Sequence, residues 1–160
     1  MMDRETGRKL GGLLARVTVG AVFVYSGVIK LMAPPEEFAF AIESYQLVGP
    51  QLGMLTAQAL PWVELYAGVL LLAGVFTRWM SLAALAMLFG FEVILGQAMA
   101  RGLDIASCGC FGAASGTPPQ EFLQNLGLML LAWVAFKFGG AYSADAHFSQ
   151  AKPPEAAGAK

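Results

Sequence analysis

The chain has 160 residues, 57% of them hydrophobic and 13% charged, and a formal net charge of −1. With a mean hydropathy of +0.60, this balance excludes an ordinary soluble domain and offers no basic surface for nucleic acid. It describes a membrane protein in contact with lipid.

Four apolar runs follow one another, approximately Leu10 to Met32, Leu55 to Phe76, Trp79 to Ala100 and Phe122 to Gly139. A bilayer core of about 30 Å needs roughly 20 helical residues per crossing. Lipid offers no partner to backbone polar groups, so each crossing is helical. A β-barrel would show short alternating segments instead. The expected fold class is an all-α membrane protein, a four-transmembrane-helix bundle formed by residues 1–140. Residues 141–160 read as a polar, flexible tail with Pro153, Pro154 and Gly158.

Arg4, Arg8 and Lys9 before the first run resemble the start of a secretory signal, but the apolar core is too long and Lys30 follows without a cleavage site. The run therefore reads as an uncleaved first helix. In the connection after it, Pro34 and Pro35 can open a short helix, Glu36 and Glu37 suit its positive end, and Gly49-Pro50 stop it. Phe38, Ala41, Ile42 and Tyr45 share one face, which predicts an interfacial helix lying over the outer end of the bundle. Amphipathicity alone fits an ordinary loop cover equally well.

The second run carries Glu64, three residues after an expected break at Pro61-Trp62, and the third carries Glu92. A charge at mid-membrane costs about 2.5–3.5 kcal/mol on insertion scales, so both side chains should face the bundle interior. Both fall roughly 12–15 Å below the outer face at 1.5 Å per residue, where they could be neighbours or share a proton. Lys30 could reach Glu64 from the end of the first helix. The plainer alternative is that Lys30 and Arg16 snorkel and the glutamates only pack. Beside its proline, Glu64 is the stronger functional candidate.

Arg4, Arg8, Lys9, Arg78, Lys152 and Lys160 flank the termini and the second connection, whereas Glu36, Glu37 and Glu43 occupy the first. The positive-inside rule then predicts a bacterial inner-membrane protein with both termini cytoplasmic. The third connection, with Cys108 and Cys110, falls on the periplasmic side, where disulfides persist. These are the chain's only cysteines. A disulfide across the single intervening Gly109 closes a small, strained ring of the labile kind. A permanent loop staple or two inert thiols remain open. A copper site has only two soft ligands here, and His147 lies in the expected cytoplasmic tail, so no metal site is expected.

Arg16, the stretch Phe23-Val24-Tyr25-Ser26-Gly27-Val28-Ile29-Lys30-Leu31, and then Pro35, Phe38, Ile42, Tyr45 and Pro50 resemble the opening signature of DoxX-like and MauE-like membrane proteins. Pro61-Trp62-Val63-Glu64-Leu65-Tyr66-Ala67-Gly68, with Gly74, is similar to their second-helix pattern. Cys108-Gly109-Cys110-Phe111-Gly112 followed by Asn125 is closer to the MauE branch, and the likeness spans about Arg16 to Trp133. The resemblance implies methylamine utilisation or related redox maturation, with disulfides handled for a periplasmic, thioredoxin-like or disulfide-containing partner. The DoxX-like side implies quinone-coupled thiol oxidation. On that reading the protein is a thiol–disulfide oxidoreductase acting with a partner. Cys108, Cys110 and Glu64 would carry the chemistry, and Lys30, Tyr45, Trp62 and Phe111 would contact a quinone. Membrane enzymes that generate disulfides relay electrons through two cysteine pairs, and this chain has one, so a partner would supply the second. The other class is an accessory subunit of a larger membrane complex, docking through Gly68 and Gly74 or Ala83, Ala84 and Ala86.

Overall fold

The computed structural model describes residues 4–103, 117–140 and 142–144. They form five helices: α1 (Arg4–Met32), α2 (Pro35–Ser44), α3 (Pro50–Ala73), α4 (Thr77–Ala100) and α5 (Pro118–Phe138). Three of them, α1, α3 and α4, are long and apolar enough to cross a membrane. By the same measure of length and composition α5, with 21 residues, is not among the three. No strand occurs among the described residues. Most of the expected tail lies outside them.

Local sequence sets the helix limits. Prolines occupy the first turns of α2, α3 and α5, where no intrahelical N–H bond is lost. α3 ends on Gly74 at φ 72°, whose N–H meets Leu71 O at 3.2 Å while Val75 N–H meets Leu70 O at 3.0 Å. This left-handed cap suits glycine and turns the chain directly into α4. Two expectations are corrected. The second long helix begins at Pro50 rather than Leu55, and it runs unbroken through Pro61.

The reason for that continuity is the neighbouring helix. A Cβ on Gly27 of α1 would lie 2.8 Å from Pro61 O and 2.9 Å from Leu65 N. Further along α3, a Cβ on Gly68 would lie 2.8 Å from Gly20 O and 2.7 Å from Val24 N. Backbone therefore packs on backbone along an antiparallel α1–α3 seam, the small-residue mode of membrane helices. α1 also runs antiparallel to α5, where a Cβ on Gly12 would meet Phe138 Cβ at 2.7 Å. α4 packs antiparallel on α5, with Gly96 beside Phe122. Val19, Phe23, Leu71, Ala84, Leu88 and Ala132 fill the centre.

The surface is unlike a soluble protein's. Trp62, Tyr66, Phe89, Leu123 and Leu130 are exposed, while Arg16, Lys30, Glu64, Glu92, Glu121 and Asn125 are buried. An outer surface of large apolar side chains, with the few charged and amide side chains turned inward among an apolar core, is what lipid demands.

Candidate functional site

Because Gly27 lets α3 come so near, Ser26 just before it and Lys30 one turn after it face α3 at short range. Lys30, in the last turn of α1, donates to both carboxylate oxygens of Glu64, at 2.7 Å and 2.9 Å. Ser26 donates from Oγ to Glu64 Oε2 at 3.0 Å. Only 5% of the lysine side chain and 11% of the glutamate side chain are exposed. Such a pair is held by mutual attraction and by the hydrogen bonds that satisfy the remaining lone pairs, and removing one member leaves a buried charge.

Helix α2 lies over this pair. Its Phe38 ring has Lys30 Nζ 4.8 Å from its centroid, a cation–π contact. Ala39, Ala41 and Tyr45 are buried beneath it, Phe38 and Ile42 are half-buried, and Phe40 is exposed. Tyr45 packs with Leu95 and Ala98, and its carbonyl accepts from Arg101 Nη1 at 3.5 Å, so the end of α4 holds the end of α2.

Next to the pair is a cavity of about 270 Å³, walled by Ser26, Lys30, Glu64 and Asn125 and otherwise by apolar side chains of α1, α3, α4 and α5, with Phe38 at its edge. Asn125 is buried and its Nδ2 has no hydrogen-bond partner among the described residues. The cavity is thus mainly apolar, with the Lys30–Glu64–Ser26 cluster and the Asn125 amide as the polar groups on its wall.

Lys30 and Glu64, singled out in the sequence, thus come together. Trp62 does not join them: it is half exposed on the outer face, its ring 6.3 Å from that of Tyr66. Tyr45 does not line the cavity. Glu92 makes no hydrogen bond to Glu64, since both its oxygens lack a partner among the described residues. Cys108, Cys110 and Phe111 lie outside the described residues. Ser26, Phe38 and Asn125 received no role from the sequence. Ser26 could have been found, because it sits one turn before Lys30 and so shares its face.

At the opposite end, Arg16 is buried and does not snorkel. It donates to Gly139 O at 3.2 Å and to Tyr142 O at 3.5 Å. Arg8 lies over Phe138, Arg78 over Phe136 and Lys137 over Trp133. This end carries the basic and aromatic girdle typical of an interface.

Fold and site together define a helical membrane protein with a hydrogen-bonded ion pair set against an internal apolar cavity. The family model for methylamine utilisation protein MauE matches residues 8–138, and the chain belongs to that family. Neither curated proteins nor solved structures gave a match.

Proposed function

We propose that the protein spans the bacterial inner membrane four times and passes electrons from a periplasmic thiol partner to quinone. The fourth crossing is α5, whose 21 residues extend about 32 Å and lie along both α1 and α4. The basic girdle faces the cytoplasm by the positive-inside rule, and α2 lies at the periplasmic interface. The end of α4 and the start of α5, between which Cys108 and Cys110 fall in the sequence, belong to the end of the bundle that carries α2.

In this reading two thiols of the partner give up two electrons and two protons to a Cys108–Cys110 disulfide, forming the partner's disulfide and a reduced pair. The pair is then reoxidised by a quinone, which takes the same two electrons and two protons to become quinol. Given the family, the partner is a periplasmic protein of methylamine utilisation, such as a dehydrogenase under maturation. The observation that carries the proposal is the Lys30–Glu64–Ser26 cluster opening on an apolar cavity at that end. The accessory-subunit reading has less support, because Gly68, Gly74 and Ala84 are buried within the chain and, of the residues named for docking, only Ala83 and Ala86 reach the surface.

The test is mixed-disulfide trapping in membranes. Cys110→Ser, or reciprocally Cys108→Ser, should capture a periplasmic protein that is released by reductant. If neither variant captures one and both support full partner maturation, the redox reading fails and the accessory role replaces it.

A further inference from the structure

α1 packs closely on α3 and α5, and α4 on α5, whereas α3 and α4 meet loosely. The cavity occupies this looser seam, with Leu60 and Glu64 on one side and Phe91 on the other. Toward the bilayer its wall is formed by Ala86 and Gly90 of α4, four residues apart and therefore on one face, and both are exposed. A Cβ built on Gly90 would meet nothing within 4 Å. The cavity thus has a low sill on its lipid side, whereas Phe38 of α2 lies at its edge over Lys30. Ala86 also borders a second apolar groove, on the outer surface between α4 and α5, which continues past Phe89 and Leu130.

Three properties of an occupant follow. It must partition into lipid, since the low side of the cavity faces the bilayer. It must carry an acceptor oxygen, because the group within that has no hydrogen-bond partner among the described residues is the donor Nδ2 of Asn125. Its head must be small, because about 270 Å³ lies just below the range of roughly 300–1,000 Å³ that encloses a whole drug-sized ligand. We infer that a prenyl-tailed quinone loads sideways from the bilayer over Gly90 and Ala86, a ring carbonyl accepting from Asn125 Nδ2 and the tail lying in the α4–α5 groove. This rests on the quinone-coupled reading above and assigns it a site, a route and a donor. A phospholipid ester could satisfy the same donor, so the experiment separates the two.

The full chain in phosphatidylcholine nanodiscs is titrated with prenylated ubiquinone and with duroquinone, a tail-less ring without a free position for thiol addition. Wild type should bind both, displacing any phospholipid retained in the cavity. Gly90→Leu and, as a second obstruction, Ala86→Leu should weaken the prenylated quinone about tenfold and spare duroquinone. Asn125→Leu and Asn125→Ala should weaken both by about tenfold, the loss of one buried hydrogen bond. The inference is overturned if wild type binds neither quinone or keeps its phospholipid against both. Equal effects on the two quinones at the sill would overturn the placement of the tail across it, and unchanged affinity in both Asn125 variants would overturn the donor. Mixed-disulfide trapping needs no quinone: its failure with quinone binding intact removes the thiol chemistry and leaves this site standing.

Discussion

Along the α1–α3 seam the buried charges meet their complements: Lys30 holds both oxygens of Glu64, and Ser26 adds a third bond. On α4 and α5, Glu92, Glu121 and Asn125 are buried as deeply, yet both oxygens of each glutamate and the Nδ2 of Asn125 find no hydrogen-bond partner among the described residues. The contact of Gly96 with Phe122 sets an antiparallel register that puts Glu92 near the level of Asn125, and Gln97 near that of Glu121. One seam closes on itself through glycine, at backbone distance. The other keeps its polar groups uncommitted. Burial of a polar residue therefore does not identify its role in this bundle; whether its atoms are satisfied does.

Substitutions can break that contrast. The largest effect is expected at the ion pair, where Lys30→Met should destabilise the bundle by about 3–5 kcal/mol, because it strands the Glu64 carboxylate. Lys30→Met combined with Glu64→Gln should recover much of the loss, as measured by denaturant unfolding in detergent micelles. A double variant no better than the single one would show that the pair is not a closed unit. Glu64→Gln alone should also impair function more than Glu92→Gln, assayed by partner maturation. Equal activity and stability of Glu64→Gln and wild type would remove Glu64 from the site.

An intermediate effect is expected from overpacking the glycine seam. Gly27→Ala places its methyl 2.8 Å from Pro61 O and should cost about 1–3 kcal/mol. Gly90→Ala, with nothing within 4 Å, should change stability by less than about 0.5 kcal/mol. Paired thermal melts of the two variants check this difference directly. The smallest effect belongs to the uncommitted seam: Glu92→Leu, which removes two unpartnered oxygens without breaking a hydrogen bond, should be neutral or stabilising. A loss of stability approaching that of Lys30→Met would mean that Glu92 is bonded to residues outside those described.

Helical character, a membrane location and the family were legible in the sequence, because long apolar runs leave few alternatives and the motifs keep their order. The reach of Lys30 to Glu64 was legible too, since charges within apolar runs are conspicuous and must turn inward. Pro61 misled: proline removes one intrahelical bond and disturbs the turn before it, but α1 is pressed so closely against it at Gly27 that α3 continues. Equal depth misled for Glu92, because depth along a helix says nothing about which neighbour its face meets. Phe38 and Asn125 were invisible as site residues, since the cavity they border exists only where five separate helices converge.

Arg16 has a consequence for the order of events in biogenesis. Its acceptor Gly139 lies 123 positions further along the chain, so when α1 enters the bilayer the carbonyl that will satisfy its guanidinium has not yet been synthesised. Glu64, by contrast, follows Lys30 by only 34 residues. The ion pair can therefore form as soon as the first hairpin of long helices is inserted, whereas the bonds from Arg16 to Gly139 and Tyr142 must wait until the last helix arrives. Closing Arg16 onto the end of α5 is a late step of assembly, and a chain truncated before Gly139 would lose the two carbonyl acceptors that Gly139 and Tyr142 give it.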